Sequence, residues 1–595
     1  MITDQFSTQF EEARFSHRPL IRGMTGMVSS GHHLATQAGV RILEKGGNAI
    51  DAGVAAGICL GILHPDMVNF AGVAPIMIYL ANPREIKTIS GLGPWPKAAS
   101  VQFFKDRFEG KIPTGIHRTV VPAAPDAWIQ ALRLYGTMSF EEVTRDAISF
   151  AEYGFPMYPF LSNNLKAEVD SYKRWPSSAQ IYLPKGRPPE PGEVFVQKDL
   201  AETMKKMVRA EQRKKFSGRD EALRAARDEF YGGEIAEAIV DFQKRNDGLL
   251  RQEDLESFES RIETPLKTTY RDYEIYGCGP WCQGPVLLQV LNLLEGFDLQ
   301  ALGHNSTDYI HLISEALKIV FSDREEFYGD PDFVDVPIAG LLSKDYAERR
   351  KGLVNKDRAW KEMPPPGDPW EWQDAGRTRS KKETDKGEAS ASMKSERDEG
   401  SWDTSYVCVV DRYGNAFSAT PSDASNTTPV TPQTGLSVSS RGSQSWVDEN
   451  HASSIQGGKR PRLTPNPSMV LRKGKLFMPF GTPGGDVQCQ AMLQVLLNII
   501  EFQMDPQVAV EAPRFATFSF PNSFYPHEYA RGLLKMEKRI GDKIFDQLKE
   551  KGHHAERWPD WAWKAGAVCA IVVDSGNGVL LGAADPRRES YALGW

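Results

Sequence analysis

Long apolar runs are missing from this chain. The longest, Ala52 to Leu63, has about a dozen residues, whereas a membrane-spanning helix needs roughly 20. Cysteine is scarce: the six (Cys59, Cys278, Cys282, Cys408, Cys489, Cys569) are scattered through 595 residues, and only Cys278 and Cys282 lie close together. That excludes a disulfide framework and makes a poor zinc site, leaving buried thiols in a reducing compartment as the expectation. The stretch from Met1 to Arg14 is polar and mixed in charge, without the apolar h-region of a secretory signal, so a cytoplasmic location is expected. An excess of positive charge is absent too. With 71 basic and 78 acidic residues the net charge is -7, which excludes the basic footprint of a nucleic-acid binder. There is no repeat of 20–50 residues and no glycine-rich loop ending in Gly-Lys-Ser/Thr.

What is there is ordinary globular material, 41% hydrophobic and 25% charged, enough for two or more structural units or one large one. A strand ending at Met27-Val28 leads to a helix over His32 to Lys45, closed by Gly46-Gly47-Asn48. A small-residue helix follows from Ala49 to Leu63, then a buried strand over 74–80. From about 123 to 355 the periodicity predicts mostly helices, at Asp126 to Tyr135, Ser139 to Tyr153, Glu234 to Arg245, Gly284 to Leu294 and Thr307 to Phe327, with one strand at Asp272 to Tyr276. The composition then changes. After Pro364-Pro365-Pro366-Gly367, residues 373–401 contain no Val, Ile, Leu, Phe, Tyr or Trp, so a flexible tether is expected over about 364–402. Strand character resumes at Trp402 to Val410 and pairs with Ala416 to Thr420 through the turn Asp411-Arg412-Tyr413-Gly414-Asn415. Strands at 468–472 and 475–479, a helix at 487–502, and strands at 567–573 and 578–583 complete the chain.

The junction carries the chemistry. Thr404 follows the tether directly. If the Asp403–Thr404 bond is cut, the new α-amine, with an ordinary pKa of about 7.7–8.0, stands beside its own hydroxyl and can act as general base for it. Thr404 can make the cut itself by attacking the Asp403 carbonyl. The plainer reading is a strand threonine after a loop. In Phe480-Gly481-Thr482-Pro483-Gly484-Gly485-Asp486, two glycines before a helix offer unobstructed N–H groups for an oxyanion; a plain turn is the alternative.

Together these stretches resemble the γ-glutamyltransferase family of N-terminal nucleophile hydrolases. The resemblance runs from His33-Leu34-Ala35-Thr36-Gln37-Ala38-Gly39 and Gly46 to Ala52 through Phe230-Tyr231-Gly232-Gly233, Ala316 to Asp323 and Tyr328-Gly329-Asp330-Pro331. It continues with Asp403-Thr404-Ser405, Val409-Val410-Asp411, Arg460-Pro461, Pro483-Gly484-Gly485, Ala512-Pro513-Arg514-Phe515 and Asp585-Pro586-Arg587. It implies an α+β fold, a four-layer αββα sandwich made as one precursor and self-cleaved before Thr404. The large subunit is then 1–403 and the small one 404–595, together one αββα unit. Assembly as that heterodimer, or as a dimer of heterodimers, is implied, with no cofactor and no metal. Thr404 matches the nucleophile, Ser422 the hydroxyl that hydrogen-bonds it, and Gly484 and Gly485 the oxyanion-hole glycines.

The substrate-reading positions differ from the family pattern. Where γ-glutamyl enzymes carry a carboxylate-gripping arginine, residues 89–96 contain no basic side chain. Leu463-Thr464 stands where a Ser-Ser pair binds the same carboxylate, and Ser443-Gln444 where an aspartate takes the ammonium. Losing a bidentate arginine removes several charge-assisted bonds, each worth ~1.5–3 kcal/mol. The expectation is an amidohydrolase or acylase acting on another small-molecule amide, with Trp95 and Leu463 making the acyl pocket more apolar, and with no nucleic-acid or membrane partner. Two readings stay beside it: γ-glutamyl hydrolysis or transfer through a different carboxylate clamp, and an uncut, silent binding scaffold. His32 and His33 read as capping or packing residues. Trp558, Trp561 and Trp563 read as core or interface, and the charges between 205 and 228 as a solvated helical face.

Overall fold

The computed structural model describes residues 16–373 and 403–595. Two seven-stranded sheets lie at its centre. One runs in the order Ile21–Gly23, Val579–Ala584, Cys569–Asp574, Lys475–Gly481, Ser468–Arg472, Tyr273–Gly277, Leu266–Tyr270. The other runs Tyr591–Gly594, Met27–Ser30, Val407–Val410, Ala416–Ala419, Ile76–Leu80, Glu85–Ile89, Ile262–Glu263. Every pairing within them is antiparallel. The expected hairpin is present, with Val407 opposite Ala419 and Val410 opposite Ala416.

Three apolar layers hold the sandwich. Between the sheets, Met27, Met77, Tyr406, Cys408, Met469, Cys569 and Ile571 interdigitate. Outside the second sheet, helices His33–Glu44, Ala49–Leu63 and Ala124–Tyr135 bury Ala38, Ile58 and Trp128 against Val409 and Phe417. Outside the first, Gly284–Leu294, Thr307–Phe327 and Gln488–Ile500 pack on Ile275, Val470 and Met478. The fold is therefore α+β, a four-layer αββα sandwich. Helix Ala49–Leu63 is buried along its whole length, and its glycines are what let it lie against the sheet: a Cβ on Gly53 would stand 2.1 Å from the Phe417 ring. Asn48 and Asp51 close that helix's N-terminus as a reciprocal capping box.

Several expectations shift. The helix-rich first part also contributes seven strands, so both sheets are built from residues on either side of Asp403–Thr404. The strand expected from Trp402 begins at Val407, which leaves Thr404 in the connection before it. Residues 364–373, assigned to the tether, pack down: Gly367 N–H donates to Asp323 (3.0 Å), Pro369 is buried, and Trp372 lies against Tyr346. The remainder of the tether, 374–402, lies outside the described residues. Of the charges between 205 and 228, most pair along helix surfaces, but Arg227 turns inward to the buried carboxylate of Asp126 and stacks on Tyr231.

Candidate active site

Thr404 is fully buried, three residues before strand Val407–Val410. Its N–H donates to the Met67 carbonyl (2.8 Å), and the next residue, Ser405, donates to the Pro421 carbonyl (3.0 Å). Ser422, three residues beyond the hairpin's second strand, is fixed by its own N–H on the Val73 carbonyl. These backbone bonds bring the two hydroxyls to 2.6 Å, within one hydrogen bond. Thr404 has φ +99°, a left-handed conformation that costs a β-branched residue about 1–3 kcal/mol.

A charged pair stands over the hydroxyls. Arg441, wholly buried, donates from Nη2 to Asp403 Oδ2 (2.5 Å) and to Ser422 Oγ (2.5 Å). The other Asp403 oxygen lies 3.4 Å from Thr404 Oγ1. Arg441 begins the short turn Arg441–Gln444, held against Trp95: a Cβ on Gly442 would meet that indole at 2.4 Å. Asp423 supports the same turn, accepting from Ser439 Oγ and from both N–H and Oγ of Ser440. Burial raises its carboxyl above the ordinary range, and Arg441 opposes that shift. On the other side, Arg588 donates to the Thr404 carbonyl (3.3 Å), and burial brings its guanidinium down to about 10.

The glycine pair follows a strand that packs on Tyr406, two residues after Thr404. Strand Lys475–Gly481 ends against Tyr406, whose ring would be 2.3 Å from a Cβ on Gly481. Three residues on, Gly484 (φ +126°) and Gly485 (φ +53°) turn the chain into helix Gln488–Ile500, conformations glycine adopts freely. Gly484 faces Gly566, just after Trp563, whose carbonyl accepts from Arg588.

A cavity of about 660 Å³ opens beside Asp403, within the range of small-molecule sites. Asp66, Met67, Arg118, Ser440, Phe524 and Trp563 are among its walls. Burial raises Asp66 to about 6, although Asn164 donates to it (2.7 Å). Arg118 spends its donors on the carbonyls of Pro113 and Ile112 and on Thr114 Oγ1.

The structure thus brings Asp403, Thr404 and Ser422 together. Gln444 lies on the same turn as Arg441 and donates to Thr464 Oγ1 (3.1 Å); both residues are fully buried. Leu463 packs in the layer between the sheets with Trp281 and Cys278, and Trp95 packs on Phe104. Neither side chain borders the cavity at Asp403, so the apolar acyl pocket expected from them is not built there. His32 caps its helix, accepting from Leu34 N–H (3.2 Å), as its position suggested. Of the tryptophans, Trp558 is core and Trp561 stacks under Arg539, but Trp563 is a cavity wall. Sequence reasoning missed Arg441, Asp423 and Arg588. The only signal for Arg441 was an arginine inside a serine-rich stretch with no acidic residue beside it.

Comparison with known proteins agrees with this arrangement. Residues 35–595 match the family model described as gamma-glutamyltranspeptidase. The chain belongs to the gamma-glutamyltranspeptidase family. It is 32% identical to the glutathione hydrolase-like YwrD proenzyme of Bacillus subtilis (strain 168), over 96% of this chain and 99% of that protein. It is 33% identical to the acylase ACY 1 proenzyme of Pseudomonas sp. (strain V22), over 95% and 93%. The solved cephalosporin acylase from Bacillus halodurans superposes with a TM-score of 0.83 at 27% identity, covering 98% of this chain and 97% of that one. The protein is accordingly an amide-bond hydrolase or acyltransferase of the gamma-glutamyltranspeptidase family with the N-terminal nucleophile fold.

Proposed function

We propose that this gamma-glutamyltranspeptidase-family protein is a self-maturing acylase whose nucleophile is Thr404. The observation that carries the assignment is the buried Thr404–Ser422 hydroxyl pair at 2.6 Å, placed on the strained bond to be cut. In maturation, Thr404 Oγ attacks the Asp403 carbonyl carbon. The C–O bond forms, the C–N bond breaks, and the nitrogen takes the hydroxyl proton. Water then hydrolyses the ester, leaving an Asp403 carboxylate and a free Thr404 amine. Because φ of Thr404 is a torsion about atoms that include the Asp403 carbonyl carbon, cutting that bond releases the strain stored there.

The freed amine stays beside the Met67 carbonyl and serves as base for Thr404 Oγ in the second reaction. An amide substrate entering the cavity is attacked in the same way. Its acyl group is transferred to Thr404 with departure of the amine, and water releases the acid. Gly484 and Gly485 supply N–H groups for the oxyanion. The products of maturation are a large subunit of 1–403 and a small subunit of 404–595, folded as one unit. Six unpaired, buried cysteines support a reducing, cytoplasmic setting, which cell fractionation tests.

Intact-mass spectrometry of purified protein with N-terminal sequencing is the decisive experiment. Two polypeptides, the smaller beginning Thr404-Ser405-Tyr406, are expected. A single uncut mass that persists on incubation overturns the assignment in favour of a binding scaffold.

A further inference from the structure

We infer that the edge strand Tyr591–Gly594, continued through Trp595, is a docking surface for a second copy of this chain, paired antiparallel about a two-fold axis at Leu593. The inference does not depend on the role of Thr404.

The strand forms one edge of the second sheet. A bare edge is a template for pairing, and proteins blunt it with charge, proline or shortness. The sheet's other edge, Ile262–Glu263, is two residues long and ends in an acid. Tyr591-Ala592-Leu593-Gly594-Trp595 has neither charge nor proline. Trp595 N–H donates to the Gly26 carbonyl (3.2 Å), and its carbonyl accepts from Met24 and Thr25 N–H (2.7 Å each). Bonding alternates along an antiparallel ladder, so Leu593 and Tyr591 also face inward, opposite Val28 and Ser30. The N–H and C=O groups of Ala592 and Gly594 point to the open edge.

The side chains alternate as well. Ala592 is buried between the sheets, whereas Tyr591, Leu593 and Trp595 stay 43%, 38% and 41% exposed, with Met24 beside Trp595 at 69%. The row reads alike in both directions: aromatic, small, leucine, small, aromatic. Turned about a two-fold axis, Leu593 meets its own counterpart and each Tyr591 meets a Trp595, cross-strand pairs that gain by burial. In the same register Ala592 and Gly594 exchange their free backbone bonds.

Charge agrees with the reversal. Helix His33–Glu44 runs beside the strand: His33 lies by Tyr591, with ring centroids 6.0 Å apart. At the helix's other end, a Cβ on Gly26 would meet Leu43 at 3.1 Å and the Trp595 ring at 3.3 Å. The Tyr591 end carries Arg18, stacked on that ring at 4.5 Å, and Glu589, close enough to His33 to act on its charge. The Trp595 end carries exposed Glu44 and Lys45. Reversal sets one end against the other and offers each acid a base, the self-complementarity that an isologous interface needs.

Sedimentation velocity of the purified full chain at micromolar concentration is the test. The wild type is expected as a two-copy species, and Leu593→Lys, which puts like charges on the axis, as single copies. Leu593→Cys, with dioxygen as oxidant, is expected to cross-link to its own counterpart. A non-hydrogen-bonded antiparallel pair holds its Cα atoms about 4.5 Å apart, within disulfide reach. The six native thiols are buried and do not compete. Tyr591→Cys alone should not cross-link, but Tyr591→Cys combined with Trp595→Cys should. If Leu593→Lys fails to fold, the Leu593→Cys cross-link decides alone. A wild type of single copies overturns the inference, and if deleting residues 1–15 then yields the two-copy species, that segment is the edge's occupant. A two-copy species without the Leu593→Cys cross-link overturns it equally, because the copies then meet elsewhere.

Discussion

Gly72 lies so close to Ser422 that a Cβ on it would stand 2.4 Å from the Ser422 carbonyl oxygen, and 2.7 Å from the Asp423 Cβ. The two segments are also tied by the reciprocal backbone bonds between Val73 and Ser422. Gly72→Ala is expected to push Ser422 and Asp423 away from Thr404 and Arg441. The protein should fold, because the glycine is not in a left-handed conformation, but maturation should slow at least ten-fold. Time-resolved intact mass at constant temperature measures this; unchanged maturation would show that the Ser422 segment tolerates displacement.

Ser422→Ala removes the hydroxyl that bonds Thr404 and accepts from Arg441. Losing bonds to a charged group costs about 1.5–3 kcal/mol, so maturation and turnover should each fall roughly ten- to a hundred-fold. Ser422→Thr keeps the hydroxyl and should retain most activity. Equal loss in both variants would point to packing rather than hydrogen bonding.

The base in turnover is a free α-amine, active only when unprotonated, so kcat/KM should fall as pH drops through its pKa. Arg588, bound to the Thr404 carbonyl and still protonated until about pH 10, disfavours the ammonium. Asp66, ionised above about pH 6, opposes it from the cavity wall. With the guanidinium bonded to Thr404 itself, the acid limb should lie at or below the ordinary 7.7–8.0. Arg588→Gln should move that limb to higher pH, and a limb that stays put would remove Arg588 from the amine's environment.

Next to Arg588 in the chain, Arg587 is buried against both oxygens of Glu537 (2.8 Å each) and both of Asp585 (3.1 Å each), and also donates to the carbonyls of Val510 and Ala512. Arg587→Ala leaves two buried carboxylates short of their partner, with Arg514 and Arg539 the remaining cations nearby. A loss of about 3–5 kcal/mol is expected. Denaturant unfolding of a matured sample reads it; a loss below about 1 kcal/mol would mean that solvent reaches the pair.

The elements that the chain announces locally were legible. Helices Glu234–Arg245, Gly284–Leu294 and Thr307–Phe327 occur where their periodicity places them; the first is buried along one face, and the other two are buried on all sides over most of their length. The hairpin Val407–Val410 with Ala416–Ala419 was equally clear from its turn. Less legible were short strands such as Ile21–Gly23 and Tyr591–Gly594, whose sequences carry little periodicity and whose partners are distant in the chain. Of the site, the hydroxyl pair of Thr404 and Ser422 could be read through motif and spacing.

By itself the sequence determined the family, the threonine at the junction and the hydroxyl that joins it, since motif order and local spacing survive as text. Only the tertiary structure decided what surrounds them. It buried Leu463 and Trp95 in separate cores, turned Trp563 into a cavity wall, and set Arg441, 37 residues after Thr404, on the Asp403 carboxylate. The reason is physical: a buried charge takes its meaning from the opposite charge within hydrogen-bond reach, and that neighbour is chosen by how two sheets stack, not by what stands beside it in the chain.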